Sequence, residues 1–359
     1  MLQRRILLAS GLAILTPRAL AQTTGHEGHG GLYEGLRQPG RIGLPATAQA
    51  QRVFDSPAPR ASNLGRWIER APLPLPRSEM AWATAHAGRM HLVGGYGEQR
   101  VDRTYHHVYD QARDIWLALA PLPRGANHVG VAVLDGRLYA IGGFTGQNHT
   151  PHEECFVFDT ARNSWEKIAS LPNACGAIAL VAHQGRIHAI GGAIGDSFAN
   201  RSSVNWHLAY DPVANRWESR APFYTPRDHT GVVSVNNRIH LIGGRVDTFY
   251  TNSNFHHAYD AQADKWEMRA PLPTARSGHG AALYAGRIFC MGGEGSNRVF
   301  GQNEAYDPVT DGWEQYAPML TPRHGLGAVA IGEFIHVAGG GPVMGGNVQS
   351  AVHEAFTLG

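Results

Sequence analysis

Arginines, histidines and acids recur at matching places along this sequence, in combinations that can bind anions or transfer protons. Arginines precede apolar runs at regular intervals, at Arg77, Arg124, Arg227, Arg276 and Arg323, and Asn173 takes the sixth such place. Histidines follow closely at His128, His229, His279 and His324. Guanidinium groups that converge on one pocket bind carboxylates in a two-pronged geometry. The pattern predicts a ligand site formed by the five arginines together with Arg245, His229 and His324.

Three further side chains are candidates for acid–base chemistry. Glu79, His279 and Glu294 stand beside the arginine positions, and a carboxylate close to an imidazole can pass protons to and from a bound substrate. A structural interpretation stays open, because each arginine can instead pair with a neighbouring acid. We expect no metal and no cofactor in this part of the chain.

The candidate residues recur because the chain itself repeats. Glycine pairs that follow an apolar run begin at Gly94, Gly142, Gly191, Gly243, Gly292 and Gly339. Tryptophans recur in step with them, at Trp67, Trp116, Trp165, Trp217, Trp266 and Trp313. Aromatic-Asp pairs lie between, at Tyr109-Asp110, Phe158-Asp159, Tyr210-Asp211, Tyr259-Asp260 and Tyr306-Asp307, with Phe356-Thr357 as an altered copy. Spacings of 47–52 residues in both series indicate six units.

Each unit contains four short runs of β type. In the second unit they cover roughly residues 128–134, 138–143, 155–159 and 164–168. Asp135-Gly136, between the first two runs, is typical of a two-residue hairpin turn. No segment shows sustained helical periodicity. Four antiparallel strands per unit, repeated six times, are typical of a β-propeller.

The glycine pair, the Tyr-Asp pair and the spaced tryptophan together resemble the signature of the kelch family, over residues 65–357. The resemblance implies an all-β, six-bladed propeller with four antiparallel strands per blade. Trp67 precedes the first glycine pair and the last unit lacks its own tryptophan. Residues 65–70 are therefore expected to complete the last blade and close the ring. Kelch propellers include enzymes, sugar-binding proteins and interaction modules, so the family leaves the function open.

The residues that precede the repeats have a different character. Residues 1–21 carry Arg4-Arg5, an apolar run and the small-residue motif Ala19-Leu20-Ala21, which predict a bacterial-type signal peptide and export to the periplasm or beyond. The paired arginines also resemble a twin-arginine signal. Residues 22–63 are expected to form a flexible leader ahead of a propeller at 64–359. Within the leader, His26 and His29 either chelate a metal loosely or belong to a solvated tail.

The charge of the chain excludes one class of partner. The formal charge is +2, and it becomes −1 without residues 1–21. No basic surface for nucleic acid is therefore expected, and beyond the signal no apolar stretch is long enough to span a membrane. We expect a monomer.

A second histidine column lies three residues before the aromatic-Asp pairs, at His106, Cys155, His207, His256, Asn303 and His353. Period-2 alternation directs these side chains toward a neighbouring blade, so we expect hydrogen bonds between blades. Protonation near pH 6 is then expected to loosen the ring. The column is too widely spread around the ring to bind one metal. The three cysteines, Cys155, Cys175 and Cys290, are expected to be free and buried.

Three functions are compatible with such a propeller. The first is a protein- or carbohydrate-binding module that uses the channel-mouth loops at residues 193–203 and 245–254, with Phe249 and Tyr250 as aromatic anchors. The second is a sugar mutarotase or epimerase resembling N-acetylneuraminate epimerase, which needs a carboxylate-binding arginine and an acid–base pair. The third is a copper radical oxidase resembling galactose oxidase, for which no cysteine here has the matched tyrosine partner. The expected partner is a protein or a small anionic or sugar ligand.

Overall fold

The computed structural model describes residues 62–80, 82–197, 199–248 and 250–359. Its secondary structure is β, apart from one 3-10 turn at Glu98–Arg100. Within these ranges, no helix has the length and apolar character needed to cross a membrane. The predicted signal peptide, the leader as far as residue 61 with His26 and His29, and the proposed anchor Phe249 lie outside the described residues.

Six four-stranded antiparallel sheets form the blades, and the first three follow one another along the chain. Blade one consists of Thr84–His86 (β2), Arg89–Val93 (β3), His106–Asp110 (β4) and Ile115–Ala118 (β5). Blade two consists of Gly130–Leu134 (β6), Arg137–Ile141 (β7), Cys155–Asp159 (β10) and Ser164–Ile168 (β11). Blade three consists of Ala179–His183 (β12), Arg186–Ile190 (β13), His207–Asp211 (β16) and Arg216–Ser219 (β17).

The remaining three blades have the same strand order. Blade four consists of Gly231–Val235 (β18), Arg238–Ile242 (β19), His256–Asp260 (β20) and Lys265–Met268 (β21). Blade five consists of Gly280–Tyr284 (β22), Arg287–Met291 (β23), Asn303–Asp307 (β24) and Gly312–Tyr316 (β25). Blade six consists of Gly327–Ile331 (β26), Phe334–Ala338 (β27), His353–Thr357 (β28) and Arg66–Glu69 (β1). Two small sheets extend loops, at Phe144–Thr145 (β8) with Thr150–Pro151 (β9) and at Ala193–Ile194 (β14) with Ser202–Ser203 (β15).

The ring closes between the two ends of the propeller. The first strand of each blade contacts the first strand of the next, and β26 contacts β2 to complete the circle. Strand β1 pairs antiparallel with β28, and Trp67 lies opposite Phe356. The predicted closure by residues 65–70 is confirmed. It satisfies the backbone groups that two free sheet edges would otherwise expose.

The hairpin turns follow from the backbone that they require. Asp135 and Gly136 both adopt positive φ, 48° and 74°, as expected of a type I′ turn whose twist matches its strands. Glycine recurs at the glycine pairs of every unit for a different reason. At Gly142, φ is 62° and a Cβ atom would lie 2.3 Å from the carbonyl oxygen of Cys175 in the next blade. Two neighbouring backbones meet at this point.

Each blade is fastened to the preceding one through an alanine that leads into it. Trp116 Nε1 donates to the carbonyl oxygen of Ala71 at 2.9 Å, and the N–H of Ala71 donates to Asp114 at 3.0 Å. The hydroxyl of Tyr109 donates to the same carboxylate. The tryptophan–alanine bond recurs at Trp165–Ala120, Trp217–Ala169, Trp266–Ala221, Trp313–Ala270 and Trp67–Ala317. The repeated aromatic residues therefore both fill the wedge between blades and fix its width.

The second histidine column forms pairs inside blades, where hydrogen bonds between blades were expected. His91 Nδ1 lies 2.9 Å from His106 Nε2, because strands β3 and β4 place these side chains diagonally on one face. The same pairing occurs at His188–His207, His240–His256 and His336–His353. Rings of the next blade pack against them, and the Tyr259 centroid lies 4.3 Å from that of His207.

These histidine pairs are uncharged in the folded protein near neutral pH. Burial lowers the pKa of His91 to about 4 and that of His106 to about 3. The folded histidine pairs therefore do not titrate near pH 6, since desolvation opposes the charged form, and the loosening of the ring at lower pH stays a prediction. The expectation of free, buried cysteines is confirmed for Cys155, Cys175 and Cys290.

Candidate functional site

One residue per blade lies beside the propeller axis with its backbone in the left-handed region. These residues, called the axial ring below, are Glu79, His128, Ala177, His229, Gly278 and Gly325, with φ between 49° and 61°. The N–H of each of the last five donates to the carbonyl oxygen of the one before, at 2.8–3.4 Å. This succession of hydrogen bonds fixes the position of every Cβ atom in the ring.

Several members of the axial ring carry side chains at positions where glycine would adopt the same backbone conformation at a lower free-energy cost. A residue other than glycine in the left-handed region costs roughly 1–2 kcal/mol. Glycine relieves this cost at positions 278 and 325, whereas Glu79, His128, Ala177 and His229 bear it. Strained backbone of this kind persists mainly where it positions functional groups. The three titratable members of the ring are therefore candidates for function.

A cavity of about 330 Å³ opens on these three side chains. Apart from two glycines its wall is built from residues with polar side chains, and it combines the axial ring with the loops that follow the glycine pairs. The lining residues are Glu79, Tyr96, Arg100, His128, Gln147, Asn148, His149, Arg201, His229, Arg245, Glu294, Gly345 and Gly346. Tyr96 donates to Asn148 Oδ1 at 2.7 Å and so holds that amide at the wall.

Glu79 is held between two imidazoles. Its Oε2 lies 2.9 Å from His128 Nε2, and its Oε1 lies 2.7 Å from His324 Nε2. Burial opposes ionisation of Glu79, but the charges and hydrogen bonds of His324 and His128 outweigh it, so its pKa lies well below the usual range. His324 is buried too, yet Glu294 and Glu79 raise its pKa to about 9. His324 is therefore an imidazolium at neutral pH.

The orientation of His128 follows from its other ring nitrogen. Asn127 donates through Nδ2 to Asp102 Oδ1 and to the carbonyl oxygen of Phe144, which directs its Oδ1 toward His128 Nδ1. His128 Nδ1–H must therefore donate to Asn127. His128 Nε2 faces Glu79 Oε2 at 2.9 Å, close enough for a proton to pass between these two atoms. A carboxylate and an imidazole that share a proton can act as an acid–base pair.

Arg245 joins the opposite side of the cavity into one network. Its Nε donates to Asp228 Oδ1, its Nη1 to Glu294 Oε1 and its Nη2 to His229 Nε2, each at 3.0 Å. His229 Nε2 is thus an acceptor, and its Nδ1–H donates to Asp228. Burial, followed by the charge of Arg245, lowers the pKa of His229 to about 3, so this imidazole is neutral.

Arg201 also lines the cavity, and not all of its hydrogen-bond donors are paired within the described residues. Its guanidinium carbon lies 4.7 Å from the ring centroid of Phe144, stacked on the aromatic face. Its Nη2 atom is buried and has no hydrogen-bond partner among the described residues. Because unpaired buried donors are costly, this nitrogen is the natural contact for an anionic ligand.

The structure brings together four of the residues predicted for the site. Glu79, His229, Arg245 and Glu294 line the cavity, and His324 contacts two of these carboxylates from behind. His279 lines an adjoining small void that Glu79 also reaches.

The arginine column lies in the blades and does not line this cavity. Arg276 contacts Glu304 in β24, Arg323 contacts Glu354 in β28, and Arg227 donates to His257 in β20. Arg124 pairs with Glu154, and Arg77 donates to the carbonyl oxygens of Gly94 and Tyr105. The structural interpretation of the column, in which each arginine pairs with a neighbouring acid, holds for Arg124, Arg276 and Arg323, whereas Arg77 and Arg227 contact carbonyl oxygens and a histidine instead.

Several lining residues were not singled out from the sequence, among them Tyr96, Arg100, Asn148 and Arg201. Arg100, Asn148 and Arg201 lie further along the loops after a glycine pair, where the repeat gives no register. Tyr96 directly follows its glycine pair, at the place that Arg245 and Glu294 take in their own units. Their only sequence signal is the difference between one unit and the other five. His128 was visible as part of a column, but its role depends on Glu79 from another blade.

Three atoms on the axial ring lie close enough to hold one metal ion. One carboxylate oxygen of Glu79 and one ring nitrogen each of His128 and His229 all lie within 4.8 Å of one another, and all three residues are buried. No cysteine lines the cavity within the described ranges.

Comparisons with known proteins match the propeller. The model of the Attractin/LZTR1 β-propeller family matches residues 90–341. The solved structure of YjhT superposes with a TM-score of 0.68 at 17% sequence identity, covering 79% of this chain and 95% of that chain. At this identity the similarity shows the fold alone. A search of curated proteins gave no match.

Proposed function

Because this chain belongs to the kelch-type Attractin/LZTR1 β-propeller family, we propose that it is a carbohydrate-binding propeller whose axial cavity takes a small acidic sugar. The observation that carries this proposal is the buried Nη2 atom of Arg201 in the cavity wall, which has no hydrogen-bond partner in the part of the chain that the structure describes. A carboxylate would complete the hydrogen bonding of this guanidinium, which no neutral group can do as strongly.

The rest of the wall supports a polyhydroxylated ligand. A cavity of about 330 Å³ is in the size range of small-molecule sites and much too narrow for a folded partner. Gln147, Asn148 and His149 offer amide and imidazole groups beside Arg201, and such groups hydrogen-bond hydroxyls in either direction. An acidic sugar carries both carboxylate and hydroxyl groups on one small molecule.

The test compares ligands and variants by calorimetric titration of the full chain. Glucuronate and N-acetylneuraminate are the acidic probes, and glucose is the neutral match for glucuronate. We expect an acidic sugar to bind, and Arg201→Ala to weaken that binding about 10- to 100-fold, as for the loss of one charged hydrogen bond. The matched control is Arg298→Ala, which removes the same charge from a loop of blade five that does not line the cavity.

Two results would contradict the proposal. One is equal binding of glucuronate and glucose; the other is acidic-sugar binding that Arg201→Ala leaves intact. Absence of sugar binding, together with recovery of a protein partner through the mouth loops at residues 193–203 and 245–254, would favour a protein-interaction module instead.

A second candidate function is interconversion of sugar anomers, as in a mutarotase or epimerase. The contact between Glu79 Oε2 and His128 Nε2 favours it, since ring opening and closure need a group that donates and accepts protons next to the bound sugar. Exchange spectroscopy by NMR on N-acetylneuraminate measures this directly. We expect faster anomer exchange with the protein and loss of the effect in Glu79→Gln. An unchanged exchange rate would contradict this second candidate, and sugar binding would remain as the proposed function.

The location of the protein is proposed from residues 1–21, whose charged start, apolar run and Ala19-Leu20-Ala21 motif support export. Fractionation of a bacterial host, with N-terminal sequencing of the product, tests it. We expect a mature chain that begins at Gln22 outside the cytoplasm. A full-length chain in the cytoplasm would contradict the proposal.

A further inference from the structure

We propose that Glu79, His128 and His229 bind one divalent transition-metal ion on the propeller axis. The inference goes beyond sugar binding, because it rests on the axial ring and not on Arg201. It also differs from the expectation that the repeats hold no metal. Two imidazoles and one carboxylate leave part of the coordination sphere open, and here the open side faces the cavity.

The spacing of the three ligand atoms fits one ion. Glu79 Oε2 and His128 Nε2 are 2.9 Å apart, which is about the separation of two ligands at right angles when each lies roughly 2.1 Å from a metal. The nearest ligand atom of His229 lies within 4.8 Å of both. The ion would lie between Glu79 Oε2 and His128 Nε2, where these two atoms now contact each other.

Both imidazoles are already oriented as metal ligands usually are. A histidine that binds a metal through one nitrogen commonly donates its other N–H to an oxygen acceptor, which fixes its ring. His128 donates to Asn127, whose amide is oriented in turn by Asp102, and His229 donates to Asp228. In each case the oxygen acceptor belongs to the preceding residue, and the Nε2 atom of the histidine faces the propeller axis.

The remaining contacts are compatible with an ion. Glu79 keeps its other oxygen on His324, so the carboxylate would bind the metal through Oε2 alone. Arg245 Nη2 must leave His229 Nε2, while its Nε and Nη1 retain Asp228 and Glu294. The three ligands also occupy equivalent places in blades one, two and four, and all bear left-handed backbone.

The ligand chemistry selects the class of metal. Imidazole nitrogen suits Zn²⁺, Fe²⁺, Co²⁺ and Ni²⁺, whereas Mg²⁺ and Ca²⁺ require oxygen ligands. Co²⁺ and Zn²⁺ are suitable probes, because Co²⁺ reports its coordination in visible absorption and Zn²⁺ competes for the same ligands.

The experiment titrates the metal-free full chain with Co²⁺ and displaces it with Zn²⁺, while elemental analysis gives the stoichiometry. We expect one ion per chain and a visible band of nitrogen–oxygen coordination. His128→Ala and His229→Ala should each weaken binding more than about 100-fold, since loss of an outer partner alone costs 10- to 100-fold. Alanine already occupies the equivalent ring position at Ala177, so the ring tolerates this substitution.

Two control variants separate the axial site from other histidines. His149→Ala removes a cavity-lining imidazole outside the cluster, and a double variant with His26→Ala and His29→Ala removes the histidines of the leader. Neither should change the Co²⁺ band. Absence of stoichiometric metal, or binding that survives both axial variants, would overturn the proposal. Arg201→Ala should weaken sugar binding and leave the metal in place, so the two proposals fail separately.

Discussion

At the axis, a single backbone position carries a carboxylate, two imidazoles, a methyl group and two glycines. The backbone conformation at this position is the same in all six blades, but the side chains have different roles. Glycine and alanine leave space, and Glu79, His128 and His229 fill it with titratable groups. The repeated fold therefore fixes the backbone positions, and the side chains that differ between repeats carry the chemistry.

Arg245 is expected to be the most sensitive single residue of the cavity for stability. It pairs with the buried carboxylates of Asp228 and Glu294. Removal of one partner from a buried ion pair leaves a charge without compensation, which costs about 3–5 kcal/mol. Arg245→Met should lower the free energy of unfolding by about that amount in urea titrations. The control Arg298→Met should change it by no more than about 0.5 kcal/mol, and an equal loss in both variants would contradict the argument.

The glycine pairs give a second prediction, in which backbone strain and steric contact are separated. Gly142 and Gly185 both have positive φ, at 62° and 73°. A Cβ atom at Gly142 would meet the Cys175 carbonyl oxygen at 2.3 Å, whereas one at Gly185 meets no atom within 4 Å. Gly185→Ala should therefore cost about 1–2 kcal/mol for strain alone, and Gly142→Ala clearly more. Similar melting temperatures for the two variants would refute the role of the glycine pair as a contact between blades.

Sequence reasoning at the residue scale identified those site residues that the repeat made visible. Glu79, Arg245 and Glu294 stand out because each breaks a column. Arg201 does not, because a loop in one unit has no register with the others. The arginine column holds for Arg77, Arg227, Arg276 and Arg323, whose carbonyl oxygens each accept from the second glycine of a pair. In units two and three this place belongs to Ala126 and Cys175, two residues after Arg124 and Asn173, so the predicted column was wrong there. The sequence also does not show which strand a guanidinium contacts. Its partners, such as Glu304 and His257, lie about 30 residues away on the third strand.

At the scale of the strands, the four histidine pairs couple stability to pH. Their folded pKa values are lowered by burial, as at His240 with about 4. In the unfolded chain the same groups titrate near 6.5. The stability that neutral histidines contribute is therefore complete above about pH 6.5, and it decreases as the pH falls toward 4 because the unfolded state binds more protons. Each histidine changes the free energy of unfolding by roughly 1.4 kcal/mol per pH unit in this window.

The pair His240–His256 offers a matched test of this coupling. Arg269, Arg238 and Asp311 are the charged groups that act on His240, and Tyr306 and Trp313 of the next blade pack on His256. Blade five has Asn303 at the place of His256, where its amide donates to the carbonyl oxygen of Ala317. His256→Asn should therefore reduce the loss of stability between pH 6.5 and 5, measured by urea titrations at several pH values. An identical pH dependence in the variant and the parent would contradict the assignment.

The strands themselves were predictable, because apolar alternation and hairpin turns such as Asp135-Gly136 are local signals. The histidine pairs were only partly predictable from the sequence. Period-2 alternation states which face of a strand a residue occupies, but the partner depends on register with the neighbouring strand. His91 and His106 belong to strands whose pairing places Val93 opposite His106, and this diagonal relation is visible only in the sheet.

At the scale of the whole molecule, stability depends on the pairing of β1 with β28. Trp67 of β1 also donates to the carbonyl oxygen of Ala317 at 2.7 Å, so one strand both completes blade six and joins it to blade five. Deletion of residues 64–70 removes both contacts and exposes a sheet edge. We expect a large drop in the thermal melting temperature and a tendency to aggregate. Deletion of residues 22–30 is the control, and a 64–70 deletion that melts like the parent would refute the closure.

The same pairing has a consequence for the order of biosynthesis. Strand β1 is among the first parts of the propeller to leave the ribosome, and its partner β28 is the last strand to be made, about 290 residues later. At typical elongation rates this interval is roughly 15 to 60 s. Blades one to five can form sheets as they emerge, whereas β1 must wait without a partner. The newly made chain therefore carries an unpaired strand for nearly its whole synthesis, and this is the period in which a chaperone would be needed.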